Sequence, residues 1–197
     1  MNDFHKGSLE VVCGPMFSGK SEELIRRIKR VQISGKTFII FRPAIDNRYD
    51  ATHVVSHDQR KLEAVITGND AEAANHMKEL VEKEDPEVIA FDEGNFYDMS
   101  IVGLIENWIS QGKRVIVAGL DTDFRGETFG PMGELLAKAD YVDKIKAICM
   151  KCKSREAVMT QRLINGNPAK RSDPLILVGG FDSYEARCRE CHEIDIS

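Results

Sequence analysis

The sequence predicts an α/β fold. Residues 1–140 should form a parallel sheet covered by crossover helices, and residues 141–197 a small, metal-tied, β-rich domain. Three observations predict it. Uniformly apolar runs of strand length alternate with helical periodicities in the first part. A glycine-bounded loop separates the first such run from the first helical pattern. Two Cys-x-x-Cys pairs bracket the β-like runs of the second part.

The elements follow in order. Leu9-Glu10-Val11-Val12-Cys13 is a short β-rich run closed by the turn signal Gly14-Pro15. A helical pattern runs from Gly19 to about Ser34, with Leu24, Ile25, Ile28 and Val31 on one face, and Gly35 stops it. Residues 37–41 (TFIIF) form an apolar strand ended by Pro43. Residues 70–84 have the spacing of an amphipathic helix, residues 87–91 (EVIAF) of a buried strand, residues 99–111 of a helix and residues 115–118 (VIVA) of a fourth strand. Alternation of this kind argues for parallel strands joined by crossover helices. Beyond residue 140 the runs shorten to Lys144–Ile148, Ala157–Leu163 and Leu175–Val178.

Composition narrows the function classes. The 197 residues are 42% hydrophobic and 30% charged, with net charge −5. This is a globular profile, and an acidic chain has no broad field for nucleic acid or an anionic membrane. No apolar run approaches the roughly 18 residues of a membrane span. Met1 to Glu10 lack the apolar core of a signal peptide, so a cytoplasmic location is expected. Reduced thiols then make the five cysteines metal ligands or core residues rather than disulfides.

Gly14-Pro15-Met16-Phe17-Ser18-Gly19-Lys20-Ser21 fits G-x-x-x-x-G-K-[ST] in full, with a strand before it and a helix after it. Backbone N–H groups and the helix dipole would receive phosphates there. Lys20 would reach the β- and γ-phosphates, and Ser21 would offer its hydroxyl to Mg²⁺. The run Val88-Ile89-Ala90-Phe91-Asp92-Glu93 ends an apolar strand in two acids. Asp92 would hold Mg²⁺ through water. Glu93 would activate water in a motor or switch ATPase, or take the proton of an acceptor hydroxyl in a kinase. Cys149-Met150-Lys151-Cys152 and Cys188-Arg189-Glu190-Cys191 supply four thiolates for a closed structural Zn²⁺ site. His192 is a substitute ligand ranked below Cys191, and Cys13 is expected in the core.

Other candidates carry weaker signals. Arg26, Arg27, Lys29 and Arg30 suit a solvated helix face better than nucleic-acid contact. Asp46-Asn47-Arg48-Tyr49 lies beyond a strand, where α/β sheets bind ligands. Arg48 would meet a phosphate or orient Glu93, and a plain surface loop is the equal alternative. Asp123-Phe124-Arg125-Gly126 follows the fourth strand. Phe124 there suits stacking on a base or, as is usual for Phe, the core. Ser56-His57 has no assigned role.

The combination G-P-M-F-S-G-K-S, D-N-R-Y, D-E-G-N-F-Y, D-F-R-G-E-T-F-G and two C-x-x-C pairs resembles the type II thymidine kinases, the cytosolic, zinc-containing family, from about Leu9 to Cys191. The fold class expected is a P-loop NTPase, RecA-like sheet with a zinc-bound domain carrying a lasso loop. The resemblance implies transfer of the γ-phosphoryl of ATP to the 5′-hydroxyl of thymidine. It makes Glu93 the base, Asp92 the acid on the Mg²⁺ side and Phe124 the aromatic against thymine. Leu175, Ile176, Leu177, Val178, Gly179 and Tyr184 become the lasso over the nucleoside. Asp46, Arg48 and Asn95 join the phosphate side, although the family has Gln where this chain has Asn95, whose amide has a shorter reach. A homotetramer and feedback inhibition by dTTP are also implied, with no nucleic-acid or membrane partner. Deoxyuridine is an expected second substrate, because a missing methyl is hard to reject. The competing expectation is a zinc-bearing P-loop ATPase acting on nucleic acid, which the acidic balance disfavours.

Overall fold

The computed structural model describes residues 7–44, 53–55, 61–175 and 182–196. Thirteen strands and four helices are seen among them. The strands are β1 Ser8–Cys13, β2 Phe38–Pro43, β3 His53–Val55, β4 Lys61–Glu63, β5 Val65–Thr67, β6 Val88–Phe91, β7 Arg114–Gly119, β8 Tyr141–Lys144, β9 Ala147–Ile148, β10 Glu156–Ala157, β11 Met159–Ile164, β12 Asn167–Pro168 and β13 Asp182–Arg187. The helices are α1 Lys20–Ile33, α2 Ala71–Glu84, α3 Ser100–Ser110 and α4 Met132–Lys138.

Six strands form one sheet in the order β5-β2-β6-β7-β1-β8. Every pairing within it is parallel. Period-two alternation divides its side chains between two cores. Leu9, Val11, Phe41, Ile89, Phe91, Val115 and Val117 face α2, α3 and α4, meeting Met77, Ile105, Trp108 and Leu135. Val12, Ile40, Val88, Ala90, Ile116 and Ala118 face α1 through Leu24, Ile25, Ile28 and Val31. Both faces are therefore covered, which is why these strands are apolar at nearly every position.

Helix ends follow local chemistry. Asp70 caps α2 by accepting from the Ala73 N–H at 3.0 Å. Ser34 closes α1 through its own N–H and hydroxyl, and Gly35 then takes φ +73°. Arg27 differs from the expected solvated face: it is 9% exposed. Its guanidinium donates to Glu10 of β1, Glu23 of α1 and Asp143 of β8. Glu10 also accepts from Arg114 of β7, so a charge network centred on the buried Arg27 ties α1 to three strands.

β8 follows residue 140 in the chain and pairs with β1 in the large sheet. The run at 144–148 thus divides: Lys144 ends β8, and Ala147–Ile148 pair with β10. β11 stands between β12 and β13 in an antiparallel sheet. Ala157, Ala186, Cys149 and Cys188 form the small core beneath. No helix among the described residues is long and apolar enough to cross a membrane.

Candidate functional site

The strand order places three chain segments side by side. β7 lies between β1 and β6, so the loop after β1, the acids after β6 and the segment after β7 share one carboxyl edge. Ligands bind at such edges in open α/β sheets.

Gly14 to Gly19 leave β1 and enter α1. Gly14 has φ +145°, and a Cβ there would stand 2.1 Å from the Ile145 carbonyl oxygen, so glycine is required on two counts. Gly19 takes φ +86° at the start of α1. The Ser18 hydroxyl and the Lys20 ammonium both donate to the Pro15 carbonyl, each at 2.8 Å. Phe17 is half exposed at φ +63°. Met16 sends its N–H to the Thr160 hydroxyl of β11 at 3.1 Å, which fastens the loop to the small sheet.

Ser21, in the first turn of α1, donates to Asp92 Oδ1 at 3.1 Å. Asp92 is 3% exposed, and Arg42 Nε of β2 stands 3.9 Å from its other oxygen. Burial raises the Asp92 carboxyl above its ordinary value, opposed by Arg42, the Ser21 hydroxyl and Lys20. Burial likewise lowers the Lys20 ammonium, opposed by Glu93, Asp92 and Asp121. Attraction between the Lys20 ammonium and the neighbouring acids thus offsets only part of the cost of burying them.

Glu93 is partly buried and holds φ +53°, a left-handed conformation that costs a non-glycine residue about 1–3 kcal/mol and clusters at functional sites. Gly94 follows because a Cβ there would meet Val117 Cγ1 at 2.5 Å. Asn95 is 1% exposed, and its Oδ1 accepts from the Leu120 N–H at 2.9 Å. Its carbonyl is thereby committed to joining the ends of β6 and β7.

Phe124 is 4% exposed. The Arg125 and Arg162 guanidinium carbons lie 5.0 Å and 5.3 Å from its ring centroid. Tyr184 lies on β13, opposite Arg162 in the β11–β13 ladder. Leu175 is partly buried where the described segment ends. Asp46, Arg48, Ser56, His57 and residues 176–179 lie outside the described residues.

The Sγ atoms of Cys149, Cys152, Cys188 and Cys191 all lie within 4.8 Å of one another. Four thiols so placed fit a tetrahedral metal such as zinc. Burial would raise the Cys149 thiol, yet backbone N–H groups of Cys152 and Cys188 bring it down to about 6. Such amides favour the thiolate a metal needs. His192 takes no part: its Nε2 lies 2.9 Å from the Phe124 carbonyl oxygen. Cys13 is fully buried in the main core, and burial pushes its thiol up to about 11.

Arg42, Thr160 and Arg162 were not among the sequence candidates. Each is a polar residue within a strand-like run, FIIFRP or MTQRLI. A cation or hydroxyl where the pattern calls for an apolar side chain is the signal that points to them.

Fold and edge together define a class: an α/β protein with charged side chains at the carboxyl edge of its parallel sheet and a separate cluster of four thiols that could hold a metal. The family model for thymidine kinase matches residues 7–192, most of the chain. The chain belongs to the thymidine kinase family, and it is an enzyme of thymidine phosphorylation acting on nucleoside and nucleotide substrates.

Proposed function

We propose that the protein transfers the γ-phosphoryl group of ATP to the 5′-hydroxyl of thymidine, and to deoxyuridine as a second acceptor. The observation that carries this reading is the Ser21–Asp92 contact at 3.1 Å, with Lys20 and Glu93 on the same sheet edge. It brings together the groups that phosphoryl transfer requires.

In this reading the N–H groups from Gly14 to Gly19 receive the β- and γ-phosphates. Lys20 leaves the Pro15 carbonyl to neutralise their charge. Ser21 and, through water, Asp92 would hold Mg²⁺, which would supply charge neutralisation to the transferring phosphoryl group. Arg42 keeps Asp92 oriented. Glu93 accepts the proton of the 5′-hydroxyl as its oxygen bonds to the γ-phosphorus. The bond from that phosphorus to the β–γ bridging oxygen breaks, and ADP leaves with the electron pair. Asp46 and Arg48 serve the phosphate side. Phe124 supports the thymine, and its low exposure makes it a wall meeting the base at an edge. Residues 175–179 and Tyr184 close over the nucleoside as a lasso anchored by the zinc knuckle.

The chain thus works as an ATP-binding α/β domain and a zinc-binding lasso domain. A cytoplasmic homotetramer inhibited by dTTP accords with this role. Glu93→Gln tests the assignment: turnover should fall about 10²–10⁴-fold, with ATP affinity by calorimetry unchanged. Turnover like that of the wild type would remove Glu93 from the role of base.

A further inference from the structure

β11 presents different partners on its two faces. Thr160 and Arg162 share the face toward the α/β body, as alternate residues of a strand must. Thr160 holds the Met16 N–H at 3.1 Å. Arg162 is 0% exposed, stands 5.3 Å from the Phe124 centroid and donates from Nη1 to the Pro174 carbonyl at 2.6 Å. Gln161, on the opposite face, exchanges hydrogen bonds with the Glu193 backbone, both at 2.8 Å, just beyond the last cysteine. Arg125 repeats the grip from outside, 5.0 Å from the same ring and donating to the Asp173 carbonyl at 2.6 Å.

Burying a guanidinium is expensive, and a well-packed apolar residue at such a position is often at least as stable. An arginine there is best explained by the geometry it specifies. Its planar fork can lie against a ring and send directed N–H bonds to a carbonyl at the same time, which an ammonium cannot do. The two groups it joins are Phe124 and the residue just before Leu175. Tyr184 faces it across the ladder and so lies on the same side of the sheet.

We propose that Arg162 is a positioning residue for the nucleoside: it fixes the Phe124 ring relative to the Pro174 carbonyl, and so sets where that ring stands as a wall of the acceptor pocket. This rests on the proposed role of Phe124.

Steady-state kinetics of the zinc-loaded full chain test it. Arg162→Lys should raise the thymidine KM about tenfold, leave the ATP KM within about twofold and lower kcat less than about threefold. Metal content should be unchanged. Phe124→Leu should also raise the thymidine KM, and the double variant should show less than the product of the two effects. A thymidine KM within about twofold of the wild type in Arg162→Lys, with Phe124→Leu impaired, would overturn the proposal alone. No effect from Phe124→Leu would overturn the role of Phe124 and the proposal with it. An equal rise in both KM values, or loss of zinc, would make Arg162 a general structural residue and overturn the proposal.

Discussion

The Ser21 hydroxyl donates to Asp92 Oδ1 at 3.1 Å, joining the first turn of α1 to the end of β6 across 71 positions of sequence. The sheet order makes this possible. β1 and β6 flank β7, so both residues leave the same carboxyl edge with one strand between them.

Asp92 carries a cost for its position. Its carboxyl is held above its ordinary 3.8 by burial. With the folded value raised, the native state keeps a proton that the unfolded chain has released only at pH between the unfolded and folded values. The associated stability is full below the unfolded value and is lost as pH rises through the folded value. At neutral pH Asp92→Asn should therefore raise the Tm of ligand-free protein by about 2–4 °C, while turnover falls. The gain should shrink as pH falls toward about 4. Thermal scans across that range check it, and a lower Tm for the variant at neutral pH would contradict it.

Gly94 seats the turn that carries Glu93. A Cβ there would stand 2.5 Å from Val117 Cγ1 in the core. Overpacking of this kind costs about 1–3 kcal/mol, so Gly94→Ala should lower Tm by roughly 3–10 °C. In a Val117→Ala background the same substitution should cost less, because its neighbour has been trimmed. Additive losses in the double variant would show that Val117 is not the obstacle.

Metal retention can be tested through the exposed thiol. Cys152 completes the four-sulfur cluster from the surface. Cys152→Ser should lower zinc from about one per chain to well below half after dialysis, and reduce Tm with it. Full occupancy in the variant would mean that three thiols suffice.

Much of this was legible in the sequence, for identifiable reasons. The strands β1, β2, β6 and β7 are buried on both faces, so they read as apolar runs. α1 through α3 are long enough to show their period. α4 has seven residues with a glycine second, and β5 has three residues, too few for either pattern. β8 has four exposed residues and gains its place from the edge of β1. At the site, Gly14 to Ser21, Asp92 and Glu93 are contiguous motifs. The Arg42–Asp92, Thr160–Met16 and Arg162–Phe124 pairs are products of folding, since no local pattern links residues so far apart. Arg27 looked like one cation of a basic run. Its burial depends on Glu10 and Asp143, strand residues that only the parallel register brings under α1.

The central claim is the direction and position of phosphoryl transfer. ATP labelled at the γ-phosphorus, incubated with the zinc-loaded protein, Mg²⁺ and thymidine, tests it most directly. Label should appear in the phosphate on the 5′-oxygen of thymidine monophosphate, with unlabelled ADP as the other product. Label found only in ATP or inorganic phosphate, with thymidine unmodified, would contradict it.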